Sequence, residues 1–523
     1  MKMWSRGGRT GWVGIATFTA VALVASMIAS RGVRPVVGAT PTRGGTLIMS
    51  VKYNPTTVDP QKAKTITDDT ILSLMAETLV KWEDGKFVGV LASRWDVSPD
   101  GAVYTFHLRS GAKFQDGQPL TAAAVAASLA RMTDPANPLP RAANLTAVEQ
   151  VQPLDPATVR IKLKAPDPDF LGELINIYII DAAAAKNLGP DQAPSGTGPF
   201  KLAAYVPDQQ LTFTKFAAYW GGEPYLDRIV VRIIPNADTQ EVELQAGTID
   251  FMDYVPPKDV TRLRTVGARP IPYGRVNWAR IVFNLKTVSD VRLRQAVCYA
   301  FDRNAVLQDA YYGLGTPQYT IALQGSWAYD AEISPYRFDP ARARGLLDEA
   351  GWKLPAGGSV RERDGKPLVL NFPSRGDAEW LLSTQMIQQM LRNVGVDTRI
   401  TTAAPATYYN EVRTGQYDLA WWLSNAAPEP PIAASLLDSH QFWNTMQVRL
   451  PEVDSLVEQA QSTTERKART ADYFALQKIH HDQALECLGF WTKQVYATSA
   501  KVQGMTIDPT GIPLHPALWW KSQ

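Results

Sequence analysis

The chain has 523 residues, with 53 Lys and Arg against 51 Asp and Glu, five His, two Cys and a formal net charge of +2. Both signs of charge are interspersed, which excludes the basic patch that a nucleic-acid surface requires. The length exceeds what one hydrophobic core serves, so two or three domains are expected.

The first residues carry Lys2, Arg6 and Arg9, followed by an uncharged, mostly apolar run from Thr10 to Ser30 and the small residues Val37-Gly38-Ala39. This is the pattern of a secretory signal peptide cleaved after Ala39. The apolar run is also long enough to span a bilayer, so an uncleaved anchor is the alternative. Loss of residues 1–39 removes five basic residues and no acidic one, which moves the net charge from +2 to −3. The only cysteines, Cys298 and Cys487, lie far from the signal, which excludes a lipoprotein anchor there. In an exported chain they could form one disulfide; the preferred expectation is two free, buried thiols.

Residues 46–53 (TLIMSVKY) read as a strand. Residues 68–82 place Ile71, Leu74, Met75 and Leu79 on one helical face, with Thr67 or Asp68 as cap. Tyr104, Phe106 and Leu108 alternate, as do Val159, Ile161 and Leu163, which predicts half-buried strands. Between them Thr121 can cap a helix carrying Val125, Leu129 and Met132. Residues 229–234 (IVVRII) read as another strand, and Asp290 caps a helix expected to run through Arg303. In 339–351, Asp339 is the N-cap, Pro340 opens the first turn and Gly351 stops the helix. Helix and strand signals alternate throughout, so the fold class is α/β. No period of 20–50 residues suggests a solenoid.

Catalytic signatures are missing: the chain has no G-x-S-x-G, H-E-x-x-H or G-x-x-x-x-G-K-[ST] pattern. Ser195, in PSGTGPF, lies in a Gly/Pro turn before a strand and reads as a turn residue rather than a nucleophile. The expectation is a protein that is not an enzyme.

The segment from Gly196 to Met252 (GTGPFKLAAYVPDQQLTFTKFAAYWGGEPYLDRIVVRIIPNADTQEVELQAGTIDFM) resembles the signature segment of the family 5 extracellular solute-binding proteins. Residues 44–47 (GGTL), 57–61 (TVDPQ), 91–120, 290–303 (DVRLRQAVCYAFDR), 313–317 (GLGTP) and 338–352 (FDPARARGLLDEAGW) extend the resemblance over nearly the whole chain in the family's order. The resemblance implies two lobes joined by a hinge, with a smaller domain on the first. It places lobe I at 40–76, 194–275 and 488–523, the small subdomain at 77–193 and lobe II at 276–487. A solute would be buried between lobes that close by hinge motion. It further implies a periplasmic protein, monomeric when soluble, that works with an ABC permease and separate ATPase subunits and needs no cofactor.

Read as a strand, 417–425 (YDLAWWLSN) sends Trp421 to one face and Trp422 to the other, so one tryptophan is expected in the core. In the dipeptide binders that the chain resembles, a Trp here leads into the ligand loop, which makes Trp422 the candidate for stacking on a solute, with Trp421 and Ser424 beside it. Arg375 aligns with the arginine that grips the peptide carboxylate in those binders, and a planar guanidinium makes bidentate, charge-assisted bonds to carboxylate. Those binders follow the Trp with an Asp that pairs with the α-ammonium. This chain has Asn425 there, followed by AAPEPP, so the amine is read without a charge unless Glu429 supplies one. Tyr53 ends the first strand where the family's first lobe lines the cleft. The solute expected is therefore a peptide or peptide-like anionic compound. The alternatives are a nickel or other metal chelate, for which His440 is the candidate ligand, and a receptor role in signalling. No two histidines have helical metal-site spacing, since His480 and His481 are adjacent.

Overall fold

The computed structural model describes residues 40–522 apart from 84, 137–138, 187, 190–191, 426–436 and 441–443, and gives backbone alone at 143, 275, 276, 424 and 425. The signal sequence, its cleavage site and Glu429 lie outside the described residues.

Lobe I is built on a mixed sheet. The strand Thr46–Val51 runs parallel to Arg228–Ile233 on one side and to Phe251–Met252 on the other. The hairpin Phe200–Val206 and Gln210–Lys215 extends it at one edge. Leu47, Met49, Phe213, Ile229, Val231 and Phe251 alternate into a core that also receives Tyr273, Tyr496 and Trp519 from late in the chain. The family signature is structural here. Its first two glycines pass so close to Met75 that a Cβ at Gly196 would lie 2.1 Å from the Met75 carbonyl oxygen, and one at Gly198 would lie 2.6 Å from the Met75 carbonyl carbon. Ser195 sits in this turn and accepts the Asp116 amide at 3.0 Å.

The small subdomain is a four-stranded antiparallel sheet in the order Ala92–Val97, Val103–Leu108, Thr158–Leu163, Val148–Asp155. Helix Ala122–Met132, capped by Thr121, lays Val125, Leu129 and Met132 on it. Buried polar bonds fasten it to lobe I. Arg141 grips both Asp69 oxygens at 2.9 and 2.7 Å, and Arg131 reaches Asp59 at 2.5 Å and Gln61 at 2.6 Å.

The periodicity over 68–82 is not one helix. The helix spans Ile66–Leu72 with a capping box between Thr65 and Asp68, and the chain then turns into strands Glu77–Thr78 and Val80–Glu83. The first pairs with the distant Tyr178–Ile179 and the second forms a local hairpin with Lys86–Gly89, and these pairings override the helical spacing. The helix capped by Asp290 ends at Ala300, and Asp302 caps a second one, Arg303–Tyr311.

Two long strands, Ala268–Phe283 and Glu486–Ser499, run antiparallel from one lobe into the other. On the first, Tyr273 packs in the lobe I core and Trp278 in the lobe II core. Between them the ladder breaks: Tyr273 is opposite Gln494 and Asn277 is opposite Thr492, so three residues face Lys493 alone. Lobe II continues the sheet with Leu419–Asn425, alongside which run the parallel strands Val369–Arg375 and Asp397–Ala403. Backbone and carboxylate bonds between Asn371 and Asp418 join the two sets.

The cysteines are buried as expected, but they are not free thiols. Helix Val291–Ala300 packs on the second long strand with the Cα atoms of Cys298 and Cys487 5.1 Å apart, and the sulfurs are bonded. The 189 residues that separate them hide the pairing from sequence reading. Reduction with a phosphine, or the double replacement of Cys298 and Cys487 by Ala, is expected to cost about 2–5 kcal/mol and to lower the calorimetric melting temperature. An unchanged melting temperature counts against the bond.

Among the carboxyls that burial pushes upward, Glu77 and Glu173 go to about 7 and Asp253 and Asp508 to about 6. In the unfolded chain these groups titrate near 4. Between about pH 4 and 7 the folded chain therefore holds more protons than the unfolded one, and stability falls as pH rises through that window. Each extra proton contributes a slope of up to about 1.4 kcal/mol per pH unit. The melting temperature is expected to be higher at pH 5 than at pH 8, and Glu77→Gln to narrow the difference; the opposite order rules out this account.

Candidate functional site

Parallel strands leave loops at their carboxyl ends, where open α/β sheets bind ligands. Lobe I strands end in Lys52, Tyr53 and Asn54 on one side and Asp253 and Tyr254 on the next. Both Asp253 oxygens accept the Lys52 amide, at 3.0 and 3.1 Å, which fixes the turn. The Lys52 ammonium lies 5.2 Å from the Tyr53 ring and 5.4 Å from the Tyr254 ring. Tyr53 is 62% exposed, an open aromatic face at the end of its strand.

In lobe II the strand Val369–Arg375 ends in Arg375, and helix Ala378–Arg392 begins three residues later. Arg375 forms an ion pair with Asp377 at 2.6 Å and donates to the Tyr409 hydroxyl at 3.0 Å. Its guanidinium lies 4.4 Å from the Trp380 ring centroid. Arg375 is therefore half-buried and already partnered by an acid and a phenol of its own lobe. Tyr409 also meets Trp422 edge-on at 5.4 Å, so Arg375, Tyr409 and Trp422 form one contiguous wall.

Glu379, in the first turn of the same helix, makes no ion pair among the described residues. Its carboxylate is near enough to the Tyr254 phenol to add to the burial that raises that group, which brings a lobe II acid close to a lobe I strand end.

Both tryptophans are packed. Trp421 is wholly buried, meets Phe301 and Phe490, and directs its indole N–H at the Tyr311 hydroxyl at 3.3 Å. It presents no surface to a solute, which corrects its place among the candidates. Trp422 is 5% exposed, stacked on Tyr408 at 6.3 Å and closed off by Tyr409. The expectation of one packed tryptophan fails because both faces of this strand are covered. Ser424 and Asn425 stand opposite Trp278 and Asn277 on the neighbouring strand.

The floor beneath this wall is ionic. Arg280 stands opposite Trp422 in the ladder, stacks 4.0 Å from the Trp278 ring and donates to Glu486 at 2.9 Å, with all three side chains buried. Burial pulls the Glu486 carboxyl up, while Arg280 and His480 pull it further down, and the net shift is downward. Beside the broken ladder a cavity of about 260 Å³ opens between Gly274, Tyr319, Leu323, Tyr329, Trp491 and Lys493.

His440 lies apart from these groups, in an exposed turn. Its Nδ1 is 3.0 Å from Asp438 and 3.8 Å from Asp454, and the three could offer one ligand atom each within 4.8 Å of one another. Asp454 is committed to the Ser439 amide and hydroxyl, at 2.8 and 2.5 Å, so the cluster has a structural role without an ion.

Sequence reasoning missed Lys52, Tyr254, Glu379, Tyr408 and Tyr409. The adjacent tyrosines of TYYN and the Tyr that closes DFMDY, placed as Tyr53 is placed after the first strand, are the signals that could have found them.

Residues 86–444 match the family described as bacterial extracellular solute-binding proteins, family 5 Middle. The glutathione-binding protein GsiB of Escherichia coli (strain K12) is 30% identical over 496 residues, which cover 90% of this chain and 94% of that one. The dipeptide-binding protein of the same strain is 27% identical over 457 residues, 80% of this chain and 84% of the relative. The crystal structure of NikA from Brucella suis in complex with Fe(III)-EDTA superposes with a TM-score of 0.80 at 25% identity, over 91% of this chain and all of that one. The chain belongs to the family 5 extracellular solute-binding proteins, with their two-lobed fold, and it is a binding protein rather than an enzyme.

Glu486→Gln leaves the Arg280 charge buried without a counter-charge, and is expected to cost about 3–5 kcal/mol. Chemical denaturation measures it; a loss below 1 kcal/mol would mean that the pair does not hold the floor.

Proposed function

We propose that this family 5 solute-binding protein captures a peptide or peptide-like solute bearing a carboxylate between its lobes and delivers it to an ABC permease driven by separate ATPase subunits. The observation that carries this reading is the wall formed by Arg375, Tyr409 and Trp422 at the carboxyl ends of lobe II strands, with Lys52, Tyr53 and Tyr254 at the strand ends of lobe I.

Arg375 grips the carboxylate of the solute. Asp377 and Tyr409 hold its guanidinium in place beforehand, so little orientation is lost on binding. Trp422, itself buried, supports Tyr409 from behind and so holds the wall in place. Asn425 and Ser424 read polar groups from the strand end, Tyr53 covers the solute from lobe I, and Glu429 supplies a negative charge for an amine. Lys52 and Glu379 supply one charge of each sign, which suits a zwitterion. The names of the relatives fit this class, glutathione and dipeptides both being peptide-like with free carboxylates.

Export by the N-terminal signal places the protein in the periplasm. It samples an open state, the solute enters and touches both lobes, and closure is favoured because only the closed form makes both sets of contacts. The closed form then docks on the permease. No helix among the described residues is long and apolar enough to cross a membrane.

Residues 40–523 are to be screened by thermal shift against di- to pentapeptides, glutathione, oligosaccharides and nickel with histidine. A peptide at one hundred times its dissociation constant is expected to stabilise the fold by about 2.7 kcal/mol. The same peptide with an amidated C-terminus, or the Arg375→Ala protein, should bind at least about tenfold more weakly. Response to nickel-histidine alone moves the assignment to a metal chelate. Equal affinity for acid and amide removes the carboxylate from the argument.

A further inference from the structure

The small subdomain is fastened to lobe I by buried bonds, and it also touches lobe II at a second place. Asp169 precedes the short helix Phe170–Leu174 of the subdomain, and Arg469 lies on the lobe II helix Arg466–Asp482. The Arg469 guanidinium donates to Asp169 Oδ1 at 2.8 Å across 300 residues of chain, with the arginine side chain only 6% exposed. Its Nε donates to the Ala460 carbonyl at 3.0 Å, and its plane lies 5.1 Å from the Trp327 ring. Lobe II thus presents the cation in a preset orientation. Beside this pair the subdomain turn at Gly101 meets the lobe II loop at Thr464. A Cβ on Gly101 would lie 2.4 Å from the Thr464 methyl, so the two surfaces are in full contact.

The contact is polar at its centre, an ion pair beside the close approach of Gly101 to Thr464. The charges are complementary. Glu173 lies close enough to Asp167 and Asp169 for their charges to be felt, the Asp169 amide donates to Asp167 Oδ1 at 3.0 Å, and all three carboxyls belong to the subdomain. Arg469 is the cation that lobe II brings to them. Separation would leave the acids to repel one another, with the Asp169 and Arg469 charges returned to water.

We propose that Asp169 and Arg469 form a latch between the lobes, made when the cleft closes and broken when it opens. The two residues then act as positioning residues: they set solute affinity by biasing closure without touching the solute. The inference rests on the two-lobe closing motion set out under the proposed function.

The test needs no solute. The native cysteines are bonded to each other, so cysteines introduced at the exposed positions Lys113 in the subdomain and Glu458 in lobe II label selectively. Pulsed electron paramagnetic resonance on spin labels at these sites gives the distribution of distances across the contact. Asp169→Asn is expected to raise the ratio of long to short distances by about fivefold, and Asp169→Glu to restore it. If both the parent and Asp169→Asn show long and short distances in the same ratio, the lobes move and the latch is wrong. One unchanged short distance in every variant removes the closing motion itself, and the latch falls with it.

Discussion

The structure depends on one paired element, the two long antiparallel strands that pass between the lobes. Each strand contributes to both cores, so neither lobe is complete without the other's chain. A continuous ladder would make the pair a stiff ribbon. The ladder stops at Gly274–Val276, where three residues oppose Lys493, and Gly274 meets nothing within 4 Å of where a Cβ would stand. A second, one-residue irregularity at Ala279 and Arg280 lies inside lobe II, so the three-residue break is the larger interruption and the place where the pair bends most easily. The 260 Å³ cavity lies against this seam, so movement there changes its shape first.

The crossing strands belong to one continuous sheet that serves both lobes, and each lobe has parallel strands whose carboxyl ends carry polar loops. Each lobe then places short polar loops opposite the other's. The protein prepares these loops with interactions of its own. Asp253 is held behind Lys52, Asp377 beside Arg375, and Glu486 against Arg280. Aromatic rings fill the spaces between these charges, which lowers the local dielectric and strengthens any ion pair formed there. Such a cleft discriminates by leaving wrong partners with unpaired buried charge.

Much of this was legible before any coordinates. Thr121, Asp290 and Asp339 were read as caps because side-chain capping is a local event, and the strands at 103–108 and 158–163 showed themselves by alternation. The cleft residues on the ends of strands, Tyr53 and Arg375, were placed by resemblance to known binders. What sequence could not show was set at long range. The 68–82 segment switches from helix to strand because partners a hundred residues away capture it. The disulfide joins positions 189 apart. Trp421 and Trp422 looked distinguishable by strand alternation, yet both faces of that strand are covered, by Phe301 and Phe490 on one side and Tyr408 and Tyr409 on the other. Alternation identifies opposite faces; it does not say which of them meets solvent.

Solute affinity in a two-lobed binder has two sources that can vary separately. One is the contact of solute with the cleft, the role proposed for Arg375, Tyr409 and the strand ends. The other is the energy gap between open and closed forms without solute, because apparent affinity scales with the fraction of molecules already competent to bind. Interactions between the lobes away from the cleft act only on the second. A bond such as Asp169–Arg469 changes affinity for every solute by the same factor, whereas a change at Arg375 alters the ranking among solutes. The chain can thus adjust how tightly it holds a solute, and how readily it releases it, without altering the residues that recognise it.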